Sequence, residues 1–74
     1  MSAHLRKRSV SLQGHRTSIA LEPAFLAVLD AIAARNGESF AGLVARVDAE
    51  RDPTVPLASV LRVMALEAAT RLGS

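Results

Sequence analysis

The sequence predicts a mainly α-helical protein with a short β-strand at its N-terminal end. Polar and apolar residues alternate over residues 9–12 and again over residues 16–21, which is the period of a strand with one buried face. From Pro23 onward, apolar residues recur with the spacing of amphipathic helices, in three segments. The chain has 74 residues, which is room for a single domain.

The composition favours association with a second chain. Half of the residues are hydrophobic, yet the only aromatic residues are two phenylalanines, and there is no cysteine. A domain of this length buries only about 60% of its unfolded surface, and no disulfide or thiolate–metal site can stabilise this one. We therefore expect a homodimer. The absence of cysteine is compatible with the cytoplasmic location that we expect.

Basic charge is concentrated near the N-terminal end. Residues 22–74 carry five arginines and all seven acids, whereas residues 1–21 carry no acid. A clustered basic segment is typical of a protein that binds a polyanion, although a solvated arm has the same composition. We divide the chain into residues 1–14, predicted as a basic arm or short extra strand, and residues 15–74, predicted as one domain. The cations of residues 1–21 are Arg6, Lys7, Arg8 and Arg16.

Three helices are predicted after the strand pattern. Pro23 suits the first turn of a helix, and Gly37 is a typical residue after its last turn. Ser39 is a plausible N-cap for the second helix, which ends near Pro53. The third helix is predicted over residues 57–72. No apolar run approaches the ~20 residues that a membrane-spanning helix needs.

The sequence offers no candidate catalytic or metal-binding cluster. His4 and His15 lie in the basic segment, without the spacing of metal ligands. Asp48, Glu50 and Asp52 are spaced by two residues on a helix, so their carboxylates diverge. We therefore expect no enzymatic activity, no metal and no cofactor.

The second alternating run has two chemically different faces. Thr17, Ile19 and Leu21 fall on one face of the strand, and Arg16, Ser18 and Ala20 fall on the other. A lone strand would leave its edge unpaired, and pairing with the same strand of a second chain would remove that edge. The resulting two-stranded ribbon fits the major groove of DNA, where arginine binds guanine and serine binds several base edges.

Residues 16–52 resemble the ribbon-helix-helix family of dimeric DNA-binding proteins. The matching features are the alternating strand, the Glu-Pro start of a first helix of about thirteen residues, the Asn-Gly-Glu-Ser turn and the amphipathic second helix. The wider pattern, with Lys-Arg-Ser-Val-Ser-Leu before the strand and a third helix after it, is similar to a less characterised subgroup of that family. The resemblance implies an intertwined homodimer with an intermolecular antiparallel β-ribbon, plus an extra C-terminal helix.

The resemblance also implies roles for particular residues. The outward strand residues would read bases, and the start of the second helix would hold a DNA phosphate, as helix N-termini readily do. Glu38 departs from this pattern, since it places a negative charge beside that phosphate. The base-reading residues would be Arg16, Ser18 and Ala20. The phosphate-binding residues would be Arg6, Lys7, Arg8, Ser39 and Phe40. The dimer core would comprise Ile19, Leu21, Phe25, Leu29, Ile32, Phe40, Leu43, Val44 and Val47.

The first alternating run, residues 9–12, distinguishes two forms of the DNA-binding hypothesis. If residues 9–12 pair with the second strand, a dimer would carry four strands spanning about 14 Å, too wide for a groove of ~12 Å. If residues 1–12 remain an arm, the basic residues there could neutralise flanking phosphates. The arm is favoured.

Two functions are considered on this basis. The first is a homodimeric transcriptional regulator that binds double-stranded DNA. The second is a protein-interaction module or antitoxin-like protein, in which the helix over residues 57–72 binds a partner. A simpler interpretation, which we favour for this helix, is that it thickens the core.

Overall fold

A computed structural model describes residues 4–72 of the chain and shows a β-hairpin followed by three helices. Residues 1–3 and 73–74, which open the predicted arm and close the predicted domain, lie outside the described residues. The predicted fold class, mainly α with a short N-terminal β-strand and an extra C-terminal helix, is confirmed. The intertwined homodimer and its intermolecular ribbon stay predictions. The elements are β1 (Arg6–Leu12), β2 (His15–Leu21), α1 (Pro23–Arg35), α2 (Phe40–Glu50) and α3 (Leu57–Leu72).

The two strands form an antiparallel hairpin closed by a two-residue turn. Leu12 pairs with His15 beside the turn, and the ladder continues to Arg6 opposite Leu21. Gln13 and Gly14, the two central residues of the turn, have φ angles of 51° and 83°. Positive φ at both central positions defines a type I′ turn, whose twist matches that of the flanking strands. The turn therefore fixes the register of the hairpin.

Of the two alternatives for the first residues, an arm or a short extra strand, the structure shows the extra strand, since residues 6–12 form β1. The strand is stabilised because Val10 is only 3% exposed and packs in the core, with Leu12 half-buried beside it. The alternation also extends further than the sequence suggested, since Arg8 turns toward the helices like an apolar residue. Because Arg8 is charged, it interrupts the alternation of polar and apolar residues from which the full length of the strand could have been predicted.

The helix boundaries follow their predicted local signals. Pro23 occupies the first turn of α1, and after that helix Gly37 takes a φ of 68° while the N–H of Glu38 donates to the carbonyl of Ala33 at 2.9 Å. The predicted N-cap of α2 is confirmed, because Ser39 Oγ accepts from the N–H of Gly42 at 2.9 Å. None of the described helices is long and apolar enough to cross a membrane.

A single chain closes its own hydrophobic core. The inner face of β1 packs on α2, the inner face of β2 packs on α3, and α1 lies against α2 and α3. Helix α1 turns Leu26 and Ala33 fully inward beside Leu29, because α3 covers that side of the helix. The buried residues are Val10, Ile19, Leu21, Leu26, Leu29, Ala33, Leu43, Val44, Val47, Leu61 and Ala65.

Most residues predicted for a dimer core are already covered within this chain. Six of the nine are buried here, and Phe25, Ile32 and Phe40 are half-buried around the same cluster. Strand β1 and helix α3 supply the cover that a second chain was expected to give. The role of these residues in a dimer interface stays a prediction, but their burial does not require one.

The hairpin turn gives a direct test of the fold. Gly14→Ala should lower the free energy of unfolding by about 1 kcal/mol, because a side chain is disfavoured at positive φ. A Cβ at this position meets no atom within 4 Å, so the cost is one of backbone conformation. Gln13→Asn is the matched control and should cause no loss, since asparagine favours this turn. Urea denaturation measures both, and equal stability of Gly14→Ala and wild type would contradict the turn.

Candidate nucleic-acid interface

The hairpin presents one polar face to solvent, which we call the outward face. Its three cross-strand pairs are Lys7 with Ala20, Ser9 with Ser18, and Ser11 with Arg16. Five of these six residues are exposed, and Ala20 is half-buried. The alternate residues of both strands turn toward the helices, so the two faces are chemically distinct. The predicted readers Arg16, Ser18 and Ala20 therefore lie together on one exposed face.

The outward face is positively charged and rich in hydroxyl groups. Lys7 lies at its open end and Arg16 beside the turn, about 14 Å apart along the strands at ~3.4 Å per residue. Three serines lie between them, and no acidic residue occurs in either strand. Arg6, which opposes Leu21 on the other face of the hairpin, is a further exposed cation at the start of β1. This arrangement suits contact with a polyanion.

Arg8 holds the hairpin on the helices. Its Nη1 and Nη2 donate to Oδ1 and Oδ2 of Asp30 at 2.7 and 2.9 Å, which is a bidentate ion pair between β1 and α1. Its guanidinium carbon also lies 4.6 Å from the ring centroid of Phe40, the first residue of α2. The hydrogen bonds from Arg8 hold the pKa of Asp30 below its ordinary value, and the same bonds raise the pKa of Arg8.

The ion pair changes how Arg8 is interpreted. We predicted it as a phosphate-binding residue, but in the structure its charge is matched by Asp30. A phosphate would have to displace that carboxylate to reach the guanidinium. Arg6 and Lys7, by contrast, have no ion-pair partner among the salt bridges within residues 4–72.

The start of α2 retains some capacity to bind an anion. Ser39 Oγ is already engaged as the N-cap, whereas the N–H groups of Phe40 and Ala41 have no acceptor within residues 4–72. Such N–H groups, together with the helix dipole, favour a negative charge. Glycine at position 42 leaves room for this cap, because a Cβ there would lie only 3.2 Å from Ser39 Oγ.

The charge of Glu38, beside this helix start, is neutralised within the chain. Its carboxylate accepts from Arg46 Nη2 at 2.8 Å and from Asn36 Nδ2 at 3.3 Å. The hydrogen bond from Arg46 is the largest influence, and it lowers the pKa of Glu38. Arg46 thus offsets the negative charge that we regarded as unfavourable for a phosphate.

Sequence reasoning missed Asp30 and the contribution of β1 to the outward face. Asp30 lies 22 residues from its partner Arg8, beyond the reach of any local pattern. Ser9 and Ser11 could have been identified, because Val10 and Leu12 have the same period of two that defined β2. No group of residues able to hold a metal ion occurs among the residues that the structure describes.

The ion pair between Arg8 and Asp30 predicts a specific pH dependence. The pKa of Asp30 is depressed in the folded state, so its stabilising contribution is complete above its ordinary value of 3.8 and is lost as the pH falls through the folded-state value. Asp30→Asn should lower the free energy of unfolding near neutral pH by about 1 kcal/mol or less, and should flatten the decline between about pH 5 and pH 1.

Urea denaturation across this pH range measures the effect. Glu67→Gln is the matched control, since it removes one exposed carboxylate from α3 and should leave the acid limb of the curve close to wild type. Superimposable acid limbs for Asp30→Asn and wild type would show that the ion pair does not stabilise the fold.

Comparison with known proteins identifies the fold family. The model of the ribbon-helix-helix domain family matches residues 5–69, a span that begins just before β1 and ends within α3. No curated protein and no solved structure matches the chain significantly. Ribbon-helix-helix domains generally form dimers and bind DNA as regulators of transcription. Since the match covers most of the chain and the hairpin and helices have the expected order, the protein belongs to the ribbon-helix-helix domain family.

Proposed function

We propose that the protein is a homodimeric, sequence-specific DNA-binding protein that regulates transcription. The observation that supports this most directly is the outward face: an antiparallel ribbon that carries cations and hydroxyls and no acid. A two-stranded ribbon has the width that the major groove accepts. Membership of a family whose domains generally bind DNA supports the same proposal.

The contacts divide into two classes by their position. Arg16 suits guanine, Ser18 can donate to or accept from either base edge, and the methyl group of Ala20 can contact thymine. Arg6 and Lys7 lie at the open end of the hairpin, where long cationic side chains can reach phosphates. The start of α2, around Ser39 and Phe40, is proposed as a further phosphate contact through its N–H groups.

The homodimer is supported by the family, whose domains generally form dimers. In this proposal the second chain does not pair with β2, because two hairpins joined at that edge would span about 14 Å between their outer strands, too wide for a groove of ~12 Å. Sedimentation equilibrium should give twice the 7.8 kDa mass of one chain, and a monomer at micromolar concentration would contradict this part of the proposal.

A second candidate function is binding of a protein partner through α3. Leu61 and Ala65 of this helix are buried in the core, which favours a structural role for that side of α3. On its other side, Val63 and Leu66 are 55% and 61% exposed, and a shallow groove of about 480 Å³ lies beside Val63. A partner that binds α3 is therefore the alternative. Its test is whether Leu66→Glu abolishes capture of a co-purifying protein.

Salt-dependent duplex binding tests the proposed function. Wild type should bind DNA at micromolar concentration or below, with an affinity that falls as salt rises because phosphate contacts release counterions. Arg16→Ala should weaken binding about tenfold, the effect of losing one bidentate base contact. Fluorescence anisotropy with a labelled duplex at several salt concentrations measures both effects.

The matched control removes the same charge elsewhere. Arg71→Ala deletes an exposed arginine from the last turn of α3, away from the hairpin, and should bind DNA nearly as wild type does. Two results would overturn the proposal: no salt-dependent binding by wild type, or equal weakening by Arg16→Ala and Arg71→Ala.

A further inference from the structure

We infer that the cavity where the ends of α1 and α3 meet α2 binds a small organic anion, a molecule that joins a carboxylate or phosphate group to an apolar body. The cavity has a volume of about 380 Å³, which lies at the lower end of the range for small-molecule sites, about 300–1,000 Å³. No residue of either strand lines it. The inference therefore concerns a site apart from the hairpin and does not rest on the proposed function.

Three arginines from three different helices converge on this cavity. Arg35 lies in the last turn of α1 and Arg71 in the last turn of α3, where the helix dipole favours a cation. Arg46 lies in the middle part of α2, so a helix dipole does not account for its place beside them. Guanidinium groups bind carboxylate and phosphate oxygens through paired hydrogen bonds. A cavity with three of these groups at its rim favours an anion over a neutral or cationic ligand.

Negative charge within the chain offsets only part of this cationic rim. No acidic residue lines the cavity within residues 4–72. Arg46 donates to the carboxylate of Glu38 from Nε and Nη2, at 3.4 and 2.8 Å, and Glu50 lies one turn after Arg46 on α2. Arg35, by contrast, has no ion-pair partner among the salt bridges of the described chain. An anion can therefore bind Arg35 without displacing a carboxylate.

The base of the cavity is apolar. Ile32 of α1 and Met64 of α3 are half-buried and pack against the hydrophobic core, and Ala68, one turn after Met64, is half-buried beside them. An apolar group placed on this base would be removed from water, a gain that an inorganic anion cannot obtain. The small side chain of Ala68 leaves the space that such a group would occupy. The cationic rim and the apolar base together favour an amphipathic anion.

NMR titration of the isotope-labelled, full-length protein tests this inference. Phenyl phosphate and phenylacetate carry the two anionic groups on the same ring, whereas inorganic phosphate lacks the ring and benzyl alcohol lacks the charge. At least one of the anionic ring compounds should bind with a Kd of about 1 mM or below, with shift changes concentrated around the cavity. Inorganic phosphate and benzyl alcohol should bind about tenfold more weakly. The tighter of the two ring compounds identifies the anionic group that the site prefers.

Two pairs of variants locate the site. Arg35→Gln removes one guanidinium from the rim and should weaken binding about tenfold. Arg62→Gln is its control, because it removes an arginine of α3 that pairs with Glu22 outside the cavity, and should bind as wild type does. Ala68→Leu fills the base and should abolish binding although all three charges remain. Ala69→Leu, at the next and exposed position of α3, should not affect binding. Circular dichroism verifies that each variant folds.

Three results would overturn the inference. The first is that neither anionic ring compound binds, which would also be the result if a second chain covered the cavity in solution. The second is that inorganic phosphate binds as tightly as the ring compounds, since the apolar base would then contribute nothing. The third is that Arg35→Gln or Ala68→Leu binds no more weakly than its control, which would place the bound anion elsewhere on the protein.

Discussion

The contact of Arg8 with Asp30 and Phe40 determines how the hairpin lies on the helices. It joins β1, α1 and α2 at one point, through two hydrogen bonds and one cation–π contact. The Arg8 and Asp30 side chains are partly exposed, 37% and 46%, so the pair contributes modestly to stability. Its larger effect is geometric, since a bidentate pair restricts both the distance and the direction of the strand.

The direction of Arg8 decides the chemistry of the opposite face. Side chains alternate along a strand, so an inward Arg8 places Lys7 and Ser9 outward, and a slip by one residue would reverse every side chain of β1. The turn at Gln13 and Gly14 then aligns β2 so that its outward residues share the same face. One cation of the basic segment is thereby used for packing, while the remaining cations face solvent.

Features with local causes were predictable from the sequence. The start of α1 at Pro23 and the cap of α2 at Ser39 follow from residue preferences, as does the alternation of β2. The alternation over residues 9–12 also indicated the second half of β1, but cations at its first three positions conceal the period there, and Gln13 is an unusual residue for its turn. Two features with distant causes were not predictable. The burial of Leu26 and Ala33 on α1 depends on packing against α3, and Asp30, the partner of Arg8, lies 22 residues away in the sequence.

Strand β1 and helix α3 change what association with a second chain must accomplish. In a ribbon made by two chains, the partner's strand completes the sheet and covers apolar residues, so folding and association are one process. Here β1 pairs with β2, and Val10 and Leu61 complete the core from within the chain. Association with a second chain is then not needed to complete the sheet or to cover the apolar residues. In the proposed function, its role would be to set the spacing and orientation of two DNA-contacting surfaces, as the recognition of two half-sites by a dimer requires.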